Sequence, residues 1–431
     1  MKTGPKIGFV GMTHLGLNSV VAAAERGFQM VCYDPDAKLT QQLNAGQAPV
    51  QEPQLLELMA KNKSRLEFIS DAAELQNCDI VYVAPDVATD DEGNSDTSAL
   101  EKLLAAAFDH TRAETAIIVL SQVQPGFCRA HQRAGRTLIY QVETLIFGQA
   151  ITRALNPERY IIGLADAARP LPVPYEKFLQ GHGAPPLFPM RYESAELAKI
   201  AINCCLVSAV STANTLAEIC EKIGANWHDI IPTLKADRRI GPYSYLAPGL
   251  GISGGNLERD LRAIVTMADR HGTDAGIVRA WMSNSGYRKN WPLRMLGEHV
   301  FPQCKNPVIG ILGLTYKENT HSVKNSPAIA LIRQLALYEI KAFDPAATPQ
   351  AAWHANLAAQ PSAEAAADGV DVLMLMTAWP EFRALDPAKL AKRMRGATVI
   401  DPYGLLDAQK MRTAGLRYIT LGLQPVFAEA C

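Results

Sequence analysis

Residues 7–17 read Ile-Gly-Phe-Val-Gly-Met-Thr-His-Leu-Gly-Leu, an apolar run followed by a glycine-containing turn and an apolar helical pattern. The run Lys6–Val10 predicts a β-strand, and Leu17–Ala24 predicts the helix after it. Gly11 permits a tight turn, and Gly16 lets the helix pack closely on the strand. The free N–H groups and the positive dipole at the start of such a helix attract an anion. The stretch therefore predicts a strand–turn–helix unit with an anion site at the turn.

An acidic residue at the end of the second predicted strand, Met30–Tyr33, strengthens this interpretation. Asp34 follows Gly11 by 23 residues, and a carboxylate there accepts hydrogen bonds from an adenosine ribose and repels a 2′-phosphate. Thr13 stands where the middle glycine of the dinucleotide motif is expected, and its β-carbon restricts how closely a phosphate can approach. An ordinary turn that binds nothing is the alternative, and His14, taken alone, is more simply a solvated histidine than a catalytic one.

The same alternation of strands and helices returns in the last third of the chain, which predicts two open α/β domains with parallel sheets. Between them, residues from Glu193 to Gly224 contain no proline, and no glycine before Gly224, and predict one long helix. Trp291–Pro292 and Phe301–Pro302 bracket a predicted linker, because proline disfavours helix at the residue before it. The remaining strand predictions are Asp79–Ala84, Ala116–Leu120, Val308–Leu312, Lys341–Phe343, Val370–Met376 and Ala397–Ile400.

Composition excludes several classes of protein. The 42 Lys and Arg against 43 Asp and Glu give a net charge of −1, so the 431-residue chain has no excess positive charge with which to hold a nucleic acid. We find no signal peptide and expect no apolar run of about 20 residues, hence no membrane span. The eight cysteines contain no CxxC pair, which favours reduced thiols in a cytoplasmic protein and predicts no metal site.

Two clusters of polar residues lie near the middle of the chain. Glu196, Lys199 and Asn203 have the i, i+3, i+7 spacing of one helix face, although such a stripe alone is more often solvated. A second segment, 248–260, contains four glycines in seven residues and ends at Asp260. A loop of this kind brings backbone N–H groups close to a ligand.

With these clusters, nearly the whole chain resembles the UDP-glucose/GDP-mannose dehydrogenase family of NAD-dependent nucleotide-sugar dehydrogenases. The similar segments are 11–16, 43–46 (LNAG), 51–53 (QEP), 196–203 (ELAKIAIN), 239–241 (RIG), 249–260, 313–320 (GLTYKENT), 326–327 (SP), 344–345 (DP), 377–382 (TAWPEF) and Asp401.

The resemblance implies an α/β fold with two Rossmann-like, doubly wound domains joined by a long central helix. The expected divisions are an NAD-binding domain at 1–190, a helical dimerisation region with the glycine-rich loop at 191–300, and a nucleotide-sugar domain at 301–431. The implied cofactor is NAD, the implied substrate is a nucleotide sugar, most simply a UDP-sugar, and the implied assembly is a homodimer.

The resemblance also implies roles for individual residues. The catalytic group is Glu143, Lys199, Asn203, Asn256 and Asp260. The cofactor-binding group is Gly11, Thr13, His14, Leu15, Gly16, Asp34, Lys38, Pro85, Gln122 and Lys324. The substrate-binding group is Thr144, Leu145, Arg239, Tyr245, Gly251 and Lys317.

Several positions depart from the family pattern. In the family, an alcohol at C6 of the sugar is oxidised twice, and a cysteine in the glycine-rich loop carries the second step through a thioester. Asn256 occupies that position here, and an amide is not nucleophilic near neutral pH. The other departures are Gln122 for a threonine, Phe147 for the second glutamate of its motif, Lys324 for an arginine, and Tyr403 for an arginine that contacts substrate.

The residues assigned to the first oxidation remain, whereas those needed for the thioester and its hydrolysis are replaced. We therefore expect one two-electron oxidation, from alcohol to carbonyl. Two alternatives stay open. One is a four-electron oxidation through the hydrated aldehyde, and the other is a non-catalytic protein that binds nucleotide sugars, since a fold alone does not guarantee its relatives' chemistry.

Overall fold

The first predicted strand, Ile7–Val10, lies inside an eight-stranded sheet in the first of two units into which the chain divides, between Ile202 and Asn203. The computed structural model describes residues 4–90, 95–253 and 255–425. Each unit contains its own large sheet, so the prediction of a mixed α/β chain with two parallel-sheet domains and a long helix is confirmed.

The sheet of the first unit has the order β10-β9-β8-β7-β4-β1-β2-β3, and all its neighbours are parallel except β8 and β9. Its strands are β1 Ile7–Val10, β2 Met30–Tyr33, β3 Leu66–Ile69, β4 Ile80–Val83, β7 Ala116–Val119, β8 Thr137–Gln141, β9 Tyr160–Leu164 and β10 Leu187–Arg191; a separate antiparallel pair is β5 Ala88–Thr89 and β6 Ser95–Asp96. Its helices are α1 His14–Glu25, α2 Ala37–Asn44, α3 Leu55–Lys61, α4 Ser98–Asp109, α5 Phe127–Ala130, α6 Ala150–Leu155 and α7 Val173–Gln180.

Strands β1, β4 and β7 are buried at every residue because apolar layers cover both faces of the sheet. This burial explains why they contain continuous runs of apolar residues rather than alternating ones. The strand order reverses between β1 and β4, and the carboxyl ends of strands at such a reversal border a ligand crevice. The turn after β1 lies at this edge of the sheet.

The second unit repeats the arrangement with a six-stranded, fully parallel sheet in the order β13-β12-β11-β14-β15-β16. Its strands are β11 Val308–Leu312, β12 Glu339–Phe343, β13 Leu357–Ala359, β14 Val372–Leu375, β15 Thr398–Ile400 and β16 Arg417–Ile419. The helices from the long helix onward are α8 Tyr192–Ile223, α9 Trp227–Ala236, α10 Asn256–His271, α11 Gly276–Lys289, α12 Trp291–His299, α13 Pro327–Gln334, α14 Ala363–Ala366, α15 Pro387–Arg393 and α16 Ala408–Thr413.

Helix α8 has 32 residues and matches the predicted span to within one residue at each end. The helix is long and apolar enough to cross a membrane: one 18-residue window of it has a mean hydropathy of 1.5, and 39% of that window is buried. The expectation that the chain contains no such apolar run is therefore wrong. One helix of this kind is weak evidence for a membrane span, because core helices of soluble proteins have the same composition.

The predicted linker between Trp291 and Phe301 is also wrong, since most of it forms helix α12. Pro292 lies in the first turn of this helix, where the N–H that proline lacks would have no helical partner. Trp291 and Leu296 are fully buried and join the core beside β11. The proline therefore marks the start of a helix rather than a break between elements.

The end of the described chain is tied to helix α8. The Glu221 carboxylate is buried and accepts hydrogen bonds from the Gly422 N–H at 2.9 Å and from the Trp291 Nε1–H at 3.2 Å. Burial raises the pKa of Glu221. Gly422 has φ +78°, and a β-carbon there would lie 2.7 Å from Cβ of Trp227, so this segment packs against the start of helix α9.

Candidate active site

The turn after β1 has the close backbone approach that its glycines predict. Gly11 has φ +92°, and a β-carbon on Gly16 would lie 1.9 Å from the Gly11 carbonyl oxygen. A side chain at position 16 would therefore push helix α1 away from the strand. Thr13 ends the turn, and its hydroxyl accepts a hydrogen bond from the Asp86 N–H at 2.8 Å rather than capping the helix.

Asp34 fixes the turn from the end of β2. Its carboxylate is buried and accepts hydrogen bonds from the N–H groups of Met12 at 2.8 Å and Asp36 at 3.0 Å. Each carboxylate oxygen has a second acceptor position, so binding the turn leaves capacity for a ribose hydroxyl. Lys38 follows Asp36 by two residues, in the first turn of helix α2, and is exposed.

His14 is the first residue of helix α1, and the expectation that it is solvated is wrong. Its ring is buried, its Nε2 lies 2.9 Å from Glu52 Oε2, and its centroid lies 4.1 Å from that of Phe147. Leu15 beside it is buried in the core under the sheet.

Asp86, which the sequence analysis missed, borders the same turn. Its Oδ2 accepts a long hydrogen bond, 3.4 Å, from the Leu15 N–H in the first turn of helix α1. A negative charge is thus held beside the helix N-terminus, where the dipole favours an anion. The preceding Pro85 packs on the turn, with its nitrogen 3.0 Å from the position of a Gly11 β-carbon.

The segment after β7 is held by buried hydrogen bonds. The Ser121 hydroxyl donates to the Pro85 carbonyl at 2.5 Å, and half-buried Gln122 follows it. Glu196 of helix α8 is fully buried and accepts hydrogen bonds from the N–H groups of Gly126 at 2.6 Å and Cys128 at 2.8 Å. Glu196 is therefore a structural residue of the first unit, and not part of a solvated stripe.

Lys199 and Glu143 form an ion pair in the first unit. Lys199 Nζ lies 2.7 Å from Glu143 Oε1 and donates a hydrogen bond to the Glu143 carbonyl at 3.2 Å, and both side chains are about 15% exposed. The other carboxylate oxygen of Glu143 accepts from the Leu145 N–H at 2.8 Å. Thr144 and Leu145 are half-buried and border a small cavity behind this loop.

Asn203 and Asp260 contact each other in the second unit. The Asn203 amide donates to Asp260 Oδ2 at 2.5 Å, and Arg259 Nε donates to Asp260 Oδ1 at 3.1 Å. All three side chains are buried. These contacts fix the orientation of the Asp260 carboxylate, as expected for a residue that must face a ligand.

Two buried side chains hold the glycine-rich loop ahead of helix α10. Asn214 Oδ1 accepts from the Gly249 N–H at 2.7 Å, and the Ser285 hydroxyl accepts from the Ile252 N–H at 2.8 Å. Gly251 has φ +77°, and a β-carbon there would lie 2.6 Å from the Ser285 carbonyl oxygen. Sequence reasoning found the loop but missed Asn214 and Ser285, because neither belongs to a recognisable motif.

Asn256 is the first residue of helix α10 and is exposed. The preceding Gly255 faces the side chain of Lys324, whose Cε lies 3.6 Å from the position of a Gly255 β-carbon. Lys324 thus lies beside the start of helix α10.

A thiol lies close to Asp260 in the same unit, at Cys204. Its side chain packs with Val207, Ile252 and Leu257 in an apolar cluster. Burial raises the pKa of Cys204, and the Asp260 and Cys205 charges add to the effect. The thiol is therefore kept protonated near neutral pH, which makes it a poor nucleophile.

The remaining predicted substrate residues lie on exposed or half-buried surfaces of the second unit. The Arg239 guanidinium is 89% exposed and pairs only with Asp237 of its own loop among the contacts described for it, and Tyr245 is 51% exposed. Lys317 Nζ lies 5.8 Å from the Tyr316 ring centroid. Tyr403 is turned inward, since its hydroxyl donates to the Met376 carbonyl at 3.1 Å.

The turn after β11 is built like the turn after β1. Gly313 has φ +94°, and the Asp344 carboxylate at the end of β12 accepts from the N–H groups of Leu314 at 2.6 Å and Thr315 at 3.0 Å. Two parallel sheets, each with a glycine turn after a central strand that is fixed by a buried aspartate, and a long helix between them in the sequence, are typical of nucleotide-dependent dehydrogenases.

Comparison with known proteins places the chain in one family of that class. Three parts of the UDP-glucose/GDP-mannose dehydrogenase family match in order: the NAD binding domain over residues 5–171, the central domain over 193–285 and the UDP binding domain over 310–408. The chain belongs to this family. It is an NAD-dependent nucleotide-sugar dehydrogenase, as the motifs predict.

The relatives are similar over nearly their whole length. The UDP-glucose 6-dehydrogenase of Rhizobium meliloti is 30% identical over 442 residues, covering 97% of this chain and 99% of the relative. That of Rickettsia conorii is 29% identical over 96% of this chain and 99% of the relative. The solved UDP-glucose dehydrogenase of Pyrobaculum islandicum is 25% identical, with a TM-score of 0.82 over 96% of this chain and 97% of that chain.

Proposed function

We propose that this chain oxidises the C6 hydroxyl of a nucleotide sugar by a single two-electron step and releases the carbonyl product. The observation that supports the proposal is the exposed Asn256 at the start of helix α10, in the position of the cysteine that forms a thioester in the family. Its amide cannot attack an aldehyde and act as a leaving group later. Cys204, which packs among apolar side chains, does not offer a thiolate in its place.

The turn at residues 11–16 fits the NAD pyrophosphate, because Gly11 and Gly16 let helix α1 start close to the end of β1, where its N-terminal N–H groups favour an anion. We assign the cofactor contacts to this turn together with Asp34, Lys38, Pro85, Gln122 and Lys324. NAD, when bound, supplies the acceptor for the hydride.

The chain's own residues accept the hydroxyl proton and stabilise the negative charge that develops on the oxygen. As hydride leaves the hydroxyl carbon, the O–H proton passes to a base, for which we propose Asp260, held in one orientation by Asn203 and Arg259. The Lys199 ammonium stabilises the developing alkoxide. Glu143 keeps that ammonium in place through the 2.7 Å ion pair. Asn256 donates a hydrogen bond to the carbonyl oxygen of the product.

The substrate, the assembly and the domain bounds are proposed on the same family resemblance. We propose a UDP-sugar as the substrate, bound by Arg239, Tyr245, Gly251 and Lys317 with Thr144 and Leu145, in a cytoplasmic homodimer. The exposed Arg239 suits a residue that reaches a ligand from a second copy. We also propose the division into parts at 1–190, 191–300 and 301–431.

The deciding experiment measures NADH formed per sugar consumed. A panel of nucleotide sugars is incubated with NAD, and the reduced nicotinamide is followed by absorbance while the product is identified by mass. One NADH per sugar and an aldehyde product are expected. Two NADH per sugar and a carboxylate would support the four-electron alternative, and tight sugar binding without NADH from any member of the panel would support a non-catalytic binding protein.

The variant N256C restores the thiol and provides the matched test. We expect a covalent thiohemiacetal or thioester with the substrate, detectable by intact-protein mass, and more than one NADH per sugar. Slow hydrolysis of the acyl-enzyme is expected, since Gln122 and Phe147 stand in place of the family's polar residues. If N256C gains no mass on incubation with substrate and NAD, and still forms one NADH per sugar, the proposed place of residue 256 in the site is contradicted.

A further inference from the structure

The first residue of helix α1 connects the dinucleotide turn to the loop that carries Glu143. The His14 ring lies 4.1 Å from the Phe147 ring, centroid to centroid, with 30° between the planes. Phe147 is 43% exposed, and its ring contact with His14 lies on the covered side. The turn and the loop are 133 residues apart in sequence and touch through these two rings.

Glu52 provides a second connection between the same two segments. Its side chain is 1% exposed; one oxygen lies 2.9 Å from His14 Nε2, and the other accepts from the Ala150 N–H at 2.8 Å. Ala150 begins helix α6 directly after the loop. A buried carboxylate without a hydrogen-bond donor is costly, so His14 and Ala150 together hold Glu52, and through it the end of the loop.

The start of the loop is fixed separately. Glu143 binds Lys199 and the Leu145 N–H, and Gln149 N–H donates to the Ile146 carbonyl at 2.9 Å. Segment 143–150 is therefore held at one end by Lys199 and at the other by His14 with Glu52, with Phe147 between them. Removing His14 deletes the ring contact at the centre and one of the two hydrogen bonds that hold Glu52 at the far end.

We propose that His14 is a positioning residue, which acts through Phe147 and Glu52 to hold segment 143–150, and with it the Glu143 carboxylate, against the turn that binds the dinucleotide. The proposal rests on the function proposed above in one respect, that Glu143 serves the sugar oxidation. Its consequence is that a dinucleotide that orders the start of helix α1 also orders the loop.

Hydrogen exchange with and without NADH tests the proposal without turnover. In the unmodified protein, NADH is expected to slow exchange at the amides of Leu145, Gln149 and Ala150. In H14A these amides exchange about tenfold faster without ligand, as for a locally released loop, and NADH no longer protects them. The NADH concentration is set well above the Kd of each protein, measured by nicotinamide fluorescence, so that a loss of protection in H14A is not a loss of binding.

Two further variants separate the contacts, and one serves as a control. H14F keeps a ring against Phe147 and loses the bond to Glu52, whereas F147A loses the ring and keeps the bond; each is expected to show part of the H14A effect. The control is H131A, since His131 also stacks on a phenylalanine, Phe127, with 4.2 Å between centroids and lies away from the loop. Its exchange at residues 145–150 should equal that of the unmodified protein.

NADH protection of the loop that survives in H14A would overturn the proposal. Faster exchange across the whole first unit in H14A, with a similar loss in H131A, would also overturn it, since His14 would then be an ordinary core residue. If one sugar of the panel is oxidised, H14A should lower kcat about tenfold at saturating NAD. Failure to find any substrate leaves the exchange result intact, so the two proposals fail separately.

Discussion

At the scale of single residues, the site combines family positions with changes that alter its charge. Lys199 pairs with Glu143 in the first unit, and Asn203 contacts Asp260 in the second. Asn256 and Asp86 are the residues to which we assign a changed chemistry. The role of Asn256 is decided by the stoichiometry of NADH. The role of Asp86 is electrostatic.

Asp86 is expected to weaken dinucleotide binding, because its carboxylate lies 3.4 Å from the Leu15 N–H at the helix terminus that the pyrophosphate would use. D86N keeps the backbone bond to Thr13 and removes the negative charge. We expect the Kd for NADH to fall about threefold, which corresponds to about 0.6 kcal/mol at an exposed helix terminus. Fluorescence titration at low and high salt measures it, and the gain should shrink at high salt.

The control for this variant is D166N, which removes an equally exposed charge from the loop after β9. It should leave the NADH affinity unchanged. A gain in affinity that is the same in both variants would show that only the net charge of the protein matters.

At the scale of elements, sequence patterns identified the interior strands β1, β2, β4 and β7 of the first sheet but missed β8 and β9, which also lie inside it. Strand β2 matches its predicted bounds, as does β11, because short continuous apolar runs fit buried parallel strands. The edge strand β10 (LFPMR) was missed, since it is largely exposed and contains Pro189. Helix α12 was missed because a proline pair gives the same signal at a helix start as in a linker.

The candidate site could be predicted only as separate parts. The glycine turns and the residue types follow from local motifs, but the pairs that orient them do not. Glu143 and Lys199 are 56 residues apart, and Asn203 and Asp260 are 57 apart. Such contacts depend on the packing of whole elements. Ser285, which binds the Ile252 N–H across 33 residues, therefore left no signal in the sequence, and the partners of Glu52 could not be predicted from the 51–53 motif.

Ser285 provides a prediction at this scale, because helix α11 holds the glycine-rich loop through its hydroxyl. S285A leaves the Ile252 N–H without its buried partner, which costs about 1–2 kcal/mol. We expect kcat to fall about tenfold through a displaced loop, with a smaller change in the KM for NAD. Steady-state kinetics and thermal unfolding measure the two effects.

The matched control is S283A, two residues earlier on the same helix and exposed. It should change neither kcat nor the free energy of unfolding. Equal losses in the two variants would show that any serine-to-alanine change in helix α11 has the effect, and that the hydrogen bond to Ile252 has none of its own.

At the scale of the whole molecule, each unit depends on carboxylates that bind backbone N–H groups at strand ends. Asp371 is one of them in the second unit: it accepts from the Val308 N–H at 2.8 Å and pairs with Arg395, and its side chain is 13% exposed. The hydrogen bond from Arg395 is the main cause that lowers the pKa of Asp371, and the Val308 N–H adds to it.

A lowered pKa in the folded state predicts acid sensitivity. The stabilisation by Asp371 is fully present above the ordinary pKa of an aspartate, about 3.9, and is lost as the pH falls through the lower folded-state value. D371N should therefore destabilise the protein by about 1 kcal/mol at pH 7. The difference should stay constant from pH 7 to about pH 4 and shrink below it, as measured by urea unfolding between pH 7 and pH 3.

An exposed pair of similar geometry serves as the comparison. Asp368 and Arg393 lie 2.7 Å apart with both side chains about half exposed, and such pairs contribute little. D368N should leave the stability nearly unchanged at every pH. If D368N lost as much stability as D371N, the effect would come from the overall charge of this region and not from the buried contact of Asp371.

The tie between Glu221 and Gly422 makes the second unit sensitive to premature termination. A stop codon or proteolytic cut shortly before residue 422 would remove the N–H that Glu221 accepts from and the glycine that packs on Trp227. Such a product would retain the residues of both nucleotide turns and of the glycine-rich loop, yet would carry a buried acid lacking one of its donors. We expect cellular quality control to remove such shortened chains, so that loss of the last ten residues resembles loss of the gene.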